Sequence, residues 1–247
     1  MKIGISFYSV QEEYEKNPLR ALDEIVAAGY DVMEISRYDR IDRNALRRAM
    51  DERGIKAVSG HFLLPDFEGD MYEDTLDYAA VMGIDTLVIP IFQGIGFSNY
   101  ENTVATAKKF DDIAARLGER GYQLLYHNHI HEFSTVHEGK CIADILFEHT
   151  SNLGFELDIG WSYASGCDNV SYIRKLGSRL KMIHIKDVDD SKTPTEVGTG
   201  MVNIKESIDA AILQGVEIGI VEQDHRRVYP AFTSIRVSRN NLRNLGY

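Results

Sequence analysis

Histidines and carboxylates follow several short apolar runs of the sequence, and they are the side chains best suited to chemistry. His61 and His127 each follow one such run, and later runs end at Asp158, His184 and Glu222. Carboxylate oxygens combined with one or two imidazole nitrogens are suitable ligands for Mn²⁺, Mg²⁺, Co²⁺ or Zn²⁺. A bound ion would act as a Lewis acid on substrate oxygens, while a carboxylate beside it moves a proton.

Each of these residues also has a purely structural explanation. An aspartate just after a strand often caps the next helix, which would account for Asp158. A histidine at a strand end can be a hydrogen-bonded core residue, which would account for His184. Glu222 could form an ion pair with Arg226 or Arg227. A metal site would be absent only if all of these structural explanations were correct at once. The pattern therefore favours a metal site.

Two further residues near these positions, Lys186 and Trp161, could contact a substrate. Lys186 could reach a substrate oxygen, or it could form an ordinary ion pair. Trp161 could stack on a sugar ring or simply cover the core. Together with His61 and His129, these residues are expected to line the substrate pocket.

Eight short apolar runs predict the strands that must position these side chains. The runs are Lys2–Phe7, Val32–Ser36, Ile55–Gly60, Thr86–Pro90, Gln123–Tyr126, Gly154–Asp158, Lys181–Ile185 and Ile218–Glu222. Most are almost continuously apolar, as parallel strands covered on both faces are, and helical patterns separate them. Eight units of about 31 residues predict an α/β protein with a single (β/α)₈ TIM barrel over residues 1–247. A doubly wound open sheet is the alternative, but the first strand lacks its glycine-rich phosphate turn.

Charge and composition narrow the classes of function. The 247 residues contain 27 Lys+Arg and 38 Asp+Glu, so the formal net charge is 27 − 38 = −11. This excess of acid argues against nucleic-acid and anionic-membrane partners. No apolar run approaches the length of a membrane span, and MKIGISFYSV lacks the pattern of a signal peptide. We therefore expect a cytoplasmic protein with a small-molecule partner.

Five segments carry a resemblance to a known family. They are YHNHIHEF (126–133), LDIGW (157–161), IHIKD (183–187), VGTG (197–200) and VEQD (221–224). In this order they resemble the xylose isomerase-like TIM-barrel superfamily, and within it the sugar phosphate isomerase/epimerase branch, where inosose dehydratases also belong. The resemblance implies a sugar or polyol substrate and a divalent ion, with Mn²⁺ the first choice. It also allows a homodimer, since such barrels often pair.

The resemblance implies metal ligands from the last four strands. In this superfamily they are usually Glu, Asp, His and Glu, which gives Asp158, His184 and Glu222 for the last three. The fifth strand departs from the pattern, because His127 stands where the first Glu is common. Glu132 is expected to turn inward and complete the site, with His127 as the competing ligand.

The implied reaction is proton transfer through a metal-stabilised enediolate, as in a sugar isomerase or epimerase acting on a keto- or aldo-sugar or a sugar phosphate. Glu222 would be one base, and Glu132 or an imidazole such as His127 or His129 would be the other. A lyase of the inosose or 3-keto-glycoside type is an alternative, and a non-catalytic sugar-binding barrel is another. An endonuclease of the apurinic-site type shares the barrel, but it would need a basic path for DNA.

Overall fold

The computed structural model describes residues 1–36, 41–224 and 228–247. Eight parallel strands close into a barrel, in which the first strand pairs with the last. In chain order, these strands are β1 (Lys2–Ser6), β2 (Val32–Ser36), β3 (Lys56–His61), β4 (Thr86–Ile89), β5 (Gln123–His127), β8 (Gly154–Asp158), β9 (Leu180–Ile185) and β12 (Ile218–Val221). The predicted TIM barrel is confirmed, and the open sheet is excluded because β1 pairs with both β2 and β12.

Two short antiparallel hairpins lie outside the barrel, and the sequence patterns did not predict them. They pair β6 (Val136–His137) with β7 (Lys140–Cys141), and β10 (Asp187–Val188) with β11 (Pro194–Thr195). Their strands are only two residues long, which is too short to show a period in the sequence.

Helices connect the strands and cover the outside of the barrel. They are α1 (Gln11–Lys16), α2 (Pro18–Ala28), α3 (Arg43–Glu52), α4 (Met71–Met82), α5 (Tyr100–Glu119), α6 (His131–Ser134), α7 (Ile142–Glu148), α8 (Ile159–Ala164), α9 (Asn169–Leu176), α10 (Ile204–Leu213) and α11 (Ala231–Asn244). Local sequence sets their ends: Asn17 caps the first turn of α2 through Arg20 N, and Gly29 ends that helix at φ 91°. Among the described residues, no helix combines the length and the apolar character that a membrane span requires.

Two layers of side chains follow each other along the same strands. An apolar cluster contains Val32, Val88, Leu125, Met182 and Ile220. Because side chains alternate along a strand, the residues two positions later point to the same side. On four of these strands, the residues at that position are Glu34, His127, His184 and Glu222. A layer of polar groups therefore rests on an apolar layer, at the carboxyl ends of the strands where barrel enzymes place their chemistry.

The loop after β9 is organised around one buried carboxylate, which explains the VGTG segment. Asp187 Oδ2 accepts hydrogen bonds from Gly198 N and Gly200 N, both at 2.9 Å. Its Oδ1 accepts from Val188 N at 2.9 Å and from Val202 N at 3.0 Å. A Cβ at Gly200 would lie 2.3 Å from the Val188 carbonyl oxygen, so the close approach of the loop requires glycine there.

Replacing this carboxylate is expected to destabilise the protein. In Asp187→Asn, the amide NH₂ group would face backbone N–H donors and would leave at least one of them without an acceptor. We expect the free energy of unfolding in urea to fall by about 2–3 kcal/mol. Asp209→Asn is the matched control, because Asp209 is half exposed and its pair with Lys205 is solvated. Equal stability of the two variants would contradict this role for Asp187.

Candidate active site

Four side chains from four barrel strands form a compact group of potential metal ligands, here called the inner group: His61, His127, Glu156 and His184. Glu156 Oε2 lies at its centre, 3.1 Å from His184 Nε2, 3.2 Å from His127 Nδ1 and 3.4 Å from His61 Nε2. Glu156 is fully buried, and its Oε1 has no hydrogen-bond partner among the described residues.

Glu34 adds a second carboxylate to the inner group. Its Oε1 lies 2.8 Å from His184 Nε2 and 2.9 Å from His61 Nε2. Ser59 donates a hydrogen bond of 2.7 Å to Oε2, which holds the carboxylate in this orientation. The register between β2 and β3 explains why Glu34 lies close to Ser59 and His61. Glu34 pairs with Ser59, and Ser36 pairs with His61.

A second set of potential ligands, the outer group, shares two histidines with the first. It contains His127, Asp158, His184 and Glu222. His184 Nδ1 lies 3.3 Å from Glu222 Oε2, and His127 Nε2 lies 4.0 Å from Asp158 Oδ2. The two ring nitrogens of His184 therefore face different groups.

Lys186 lies among the carboxylates of the outer group. Its Nζ is 3.0 Å from Asp158 Oδ2, 2.9 Å from Glu222 Oε2 and 2.7 Å from Asp224 Oδ2. The ammonium is fully buried and lies 4.7 Å from the ring centre of Trp161. Lys186 together with Asp158, Glu222 and Asp224 is called the lysine cluster below.

The charges of these groups shift one another's pKa values strongly. Burial alone would lower the pKa of His61, but the charge of Glu34 and the bond to Glu156 raise it to about 10. Burial would raise the pKa of Glu222, but Lys186 and His184 outweigh it and hold that pKa well below its usual range. His129 differs: burial and the neighbouring His127 lower its pKa to about 2, so its imidazole is neutral. Glu222 is thus an ionised carboxylate at neutral pH.

A cavity of about 630 Å³ opens onto these groups. Tyr8, Ser36, His61, Leu63, Asp66, Met71, Pro90, Ile91, His127, His129, Trp161, Glu222 and Asp224 line it. His129 and Trp161 stack with ring centres 6.1 Å apart on one wall. The volume of the cavity, and the mixture of polar and apolar side chains that line it, suit a small polar molecule with an apolar face.

Of the predicted substrate contacts, the structure places His61, His129 and Trp161 on the cavity wall. Lys186 is instead buried beneath the wall and paired with carboxylates, so of its two predicted roles the structure shows the ion pair. Asp158 caps a helix, as its structural explanation predicted, and its other carboxylate oxygen lies in the outer group of potential metal ligands. Its Oδ1 caps α8 through Gly160 N and Trp161 N, while its Oδ2 faces Lys186. Arg226 and Arg227, the alternative partners of Glu222, lie outside the described residues.

The structure does not bring Glu132 to either ligand group, which corrects the expectation that it turns inward to complete the site. Glu132 is fully buried behind the strand end. Its Oε1 accepts a hydrogen bond of 2.5 Å from Tyr126, and its Oε2 accepts one of 2.8 Å from His129 N. Both oxygens are thus used to hold the chain at the start of α6. His127, the competing candidate, belongs to both groups.

Sequence reasoning missed Glu34, Glu156 and Asp224. The first two lie inside strands, whereas the predicted site residues were those at the strand ends. The signal was nevertheless present, because a carboxylate within an otherwise apolar, fully buried strand is rare unless it is paired or binds a metal. Glu156 also stands two residues before Asp158, so both point to the same side of β8.

Known proteins resemble this chain over most of its length. A family model described as xylose isomerase-like TIM barrel matches residues 22–244. An inosose dehydratase from Clostridium perfringens is 26% identical over 195 residues, which are 70% of this chain and 64% of that protein. The match therefore spans a little less than two thirds of the relative's length.

Two solved structures share the fold. A sugar phosphate isomerase/epimerase from Parabacteroides distasonis superposes with a TM-score of 0.86 and 22% identity, covering 98% of this chain and 93% of that one. The IOLI protein, solved with a bound zinc atom, gives a TM-score of 0.70 and 15% identity, with coverage of 99% and 98%. At these identities the likeness concerns the fold.

Proposed function

Because this chain belongs to the xylose isomerase-like TIM barrel family, we propose that it is a metal-dependent enzyme that moves a proton at a carbon beside a carbonyl group of a sugar or polyol. One observation supports the proposal: the potential metal ligands His61 and His127 and the ionised carboxylate of Glu222 line the same cavity. The names of the similar proteins, an inosose dehydratase and a sugar phosphate isomerase/epimerase, support a carbohydrate substrate.

The donor atoms at the end of the cavity fit a divalent ion. Imidazole nitrogens and carboxylate oxygens suit Mn²⁺, Co²⁺ and Zn²⁺, and the IOLI protein of the same fold holds zinc. When bound, such an ion polarises neighbouring substrate oxygens and makes an adjacent C–H group more acidic.

Glu222 is the proposed base. It lines the cavity, and it is ionised because Lys186 lies 2.9 Å from its Oε2. Ser6 donates a hydrogen bond of 3.1 Å to its Oε1, so both oxygens are held in place. A carboxylate fixed in this way can take a proton from a substrate carbon without first reorganising.

Because Glu132 does not line the cavity, the second proton-handling group would be an imidazole or Asp224. His127 Nδ1 faces Glu156, which ties its ring to the inner group. His129 lines the cavity with a neutral ring, and its Nδ1 is buried without a hydrogen-bond partner among the described residues. His129 is therefore placed to hydrogen-bond to the substrate, whereas its lowered pKa makes it a poor proton acceptor.

Dehydration is the second candidate reaction, and the inosose dehydratase relatives favour it. It begins with the same proton transfer to Glu222 and continues with loss of a hydroxyl group from the next carbon. Asp224 lies on the same wall, and burial keeps its pKa raised even though Lys186 opposes the shift. A carboxyl group with a raised pKa can supply the proton that departs with the hydroxyl.

A panel of free sugars, sugar phosphates and inososes in D₂O, with Mn²⁺ or Co²⁺ added, tests both candidates. Deuterium at the reacting carbon without new ultraviolet absorbance identifies an isomerase or epimerase. Growth of the absorbance of an enone or diketone identifies a dehydratase. If the protein binds metal but neither signal appears across the panel, the proposal is contradicted and a non-catalytic sugar-binding barrel is supported.

A further inference from the structure

The cavity over the candidate site is larger than a free sugar requires. Its volume is about 630 Å³. A hexose has about twelve non-hydrogen atoms, and even at the ~30 Å³ that each molecule takes in liquid water they would fill only about 360 Å³. Bonded atoms need less room than separate water molecules, so this value is an upper bound. The space left over exceeds the roughly 150 Å³ in which an apolar cavity binds benzene.

The walls of the cavity differ in chemistry from one side to the other. Four apolar side chains from the loops after β3 and β4 and the start of α4 line one side, here called the apolar wall: Leu63, Met71, Pro90 and Ile91. Glu222 and Asp224 line the cavity from the segment after β12. In the closed ring of eight strands, β4 lies four strands from β12 in either direction. The apolar wall is therefore on the far side of the cavity from the proposed base.

The apolar wall is exposed although its neighbours hold it in place. Leu63 is 53% exposed and Met71 is 40% exposed. Phe62, the residue before Leu63, is buried, and its ring packs edge-on against Phe67 with the ring centres 6.1 Å apart. Leu63 N donates a hydrogen bond of 2.8 Å to Asp66 Oδ2. An apolar surface fixed in this way loses little conformational entropy when a ligand covers it.

The charges on this side of the cavity favour an uncharged group. In the loops after β3 and β4, the described residues that line the cavity include one charged side chain, Asp66. His61, at the end of β3, directs its Nε2 to Glu34 and Glu156. A phosphate against the apolar wall would meet the carboxylate of Asp66 and be repelled by it. An apolar group needs no polar partner there, and its burial is favourable in proportion to the area removed from water.

We propose that the apolar wall is a subsite for an apolar group carried by the substrate. The substrate is then a sugar or polyol with an attached group of about the size of an aromatic ring. Its polar part lies against Glu222 and the imidazoles, and its apolar group lies against Leu63, Met71 and Ile91. This assignment deepens the proposed function, on which it rests for the sugar or polyol part.

Matched derivatives of one sugar test the subsite, because they differ only in the attached group. The probes are the methyl, phenyl and phosphate derivatives at C1 of glucose, galactose and xylose, all in the β form. With C1 blocked they have no carbonyl group, so calorimetry with the protein as purified measures binding alone. We expect the phenyl derivative of any sugar that binds to bind about 10-fold or more tightly than its methyl counterpart, since it buries a larger apolar area.

Two substitutions in the apolar wall locate the effect. Leu63→Ser and Met71→Ser are each expected to lower the ratio of phenyl to methyl affinity by about 3-fold or more and to leave the methyl affinity unchanged. Leu213→Ser is the matched control. Leu213 is 80% exposed at the end of α10, outside the described residues that line the cavity, so its replacement should not change the ratio.

Several results would overturn the subsite. They are equal affinity for the phenyl and methyl derivatives, an unchanged ratio in both wall variants, or no binding of any probe. Tightest binding of the phosphates would overturn it and assign this side to an anion. An unchanged ratio together with dissociation of a dimer in Leu63→Ser, measured by ultracentrifugation, would assign the wall to a second copy of the chain. Proton exchange in D₂O is measured separately, so the proposed function can stand or fail independently of these results.

Discussion

Glu222→Gln is expected to lower turnover by about 10²–10⁴-fold, because glutamine keeps the shape of the side chain but cannot accept a proton. Lys186 keeps Asp158 and Asp224 as partners, so the barrel should fold and the substrate should still bind. The measurement is deuterium incorporation at the reacting carbon, together with calorimetric binding of the same substrate.

Glu217→Gln provides the matched control for this substitution. Glu217 is exposed and lies just before β12, so its replacement should leave exchange unchanged. Full proton exchange in Glu222→Gln would remove Glu222 from the mechanism. Loss of both exchange and binding would show that Glu222 contributes to binding and would leave the base unidentified.

Lys186→Met is expected to be more destabilising than any of the other substitutions. The change would leave Asp158, Glu222 and Asp224 close together and without their cation. Removing one partner of a buried ion pair costs about 3–5 kcal/mol, and here three partners share the ammonium. We expect a loss in the free energy of unfolding of at least that range, measured by urea denaturation.

Lys205→Met is the control for the buried lysine. Lys205 also pairs with an aspartate, Asp209, but both side chains are about half exposed. Surface pairs of this kind contribute about 0–1 kcal/mol. If the two lysine variants were equally stable, the lysine cluster would contribute less to the free energy of unfolding than its burial implies.

The sequence predicted those parts of the fold and site that follow from local patterns. Eight apolar runs separated by helical segments led to the barrel, which the closed ring of strands confirms. The rule that chemistry gathers at strand ends pointed to His127, His184 and Glu222, and the structure brings these three side chains together. Their meeting depends only on the alternation of side chains along strands and on the common direction of those strands.

The remaining features depend on contacts that no local pattern contains. Glu132 was expected in the site, but its oxygens bond to Tyr126 and to the backbone of His129, three residues away. Lys186 was expected either to reach a substrate oxygen or to form an ion pair, and three carboxylates surround it, one at the end of β8 and two in the segment after β12. Whether a polar side chain faces a cavity or its neighbours is decided by tertiary packing.

The pairing of the first strand with the last has a consequence for folding during synthesis. β1 and β12 are adjacent strands of the barrel. The hydroxyl group of Ser6 donates a hydrogen bond to Glu222, which lies 216 positions later in the sequence. Glu34 and His184, which share the inner group, are 150 positions apart. A nascent chain on the ribosome therefore exposes two open sheet edges until β12 emerges, and such edges invite aggregation. Completion of the ring, and with it the contact between Ser6 and Glu222, must wait until translation is almost finished.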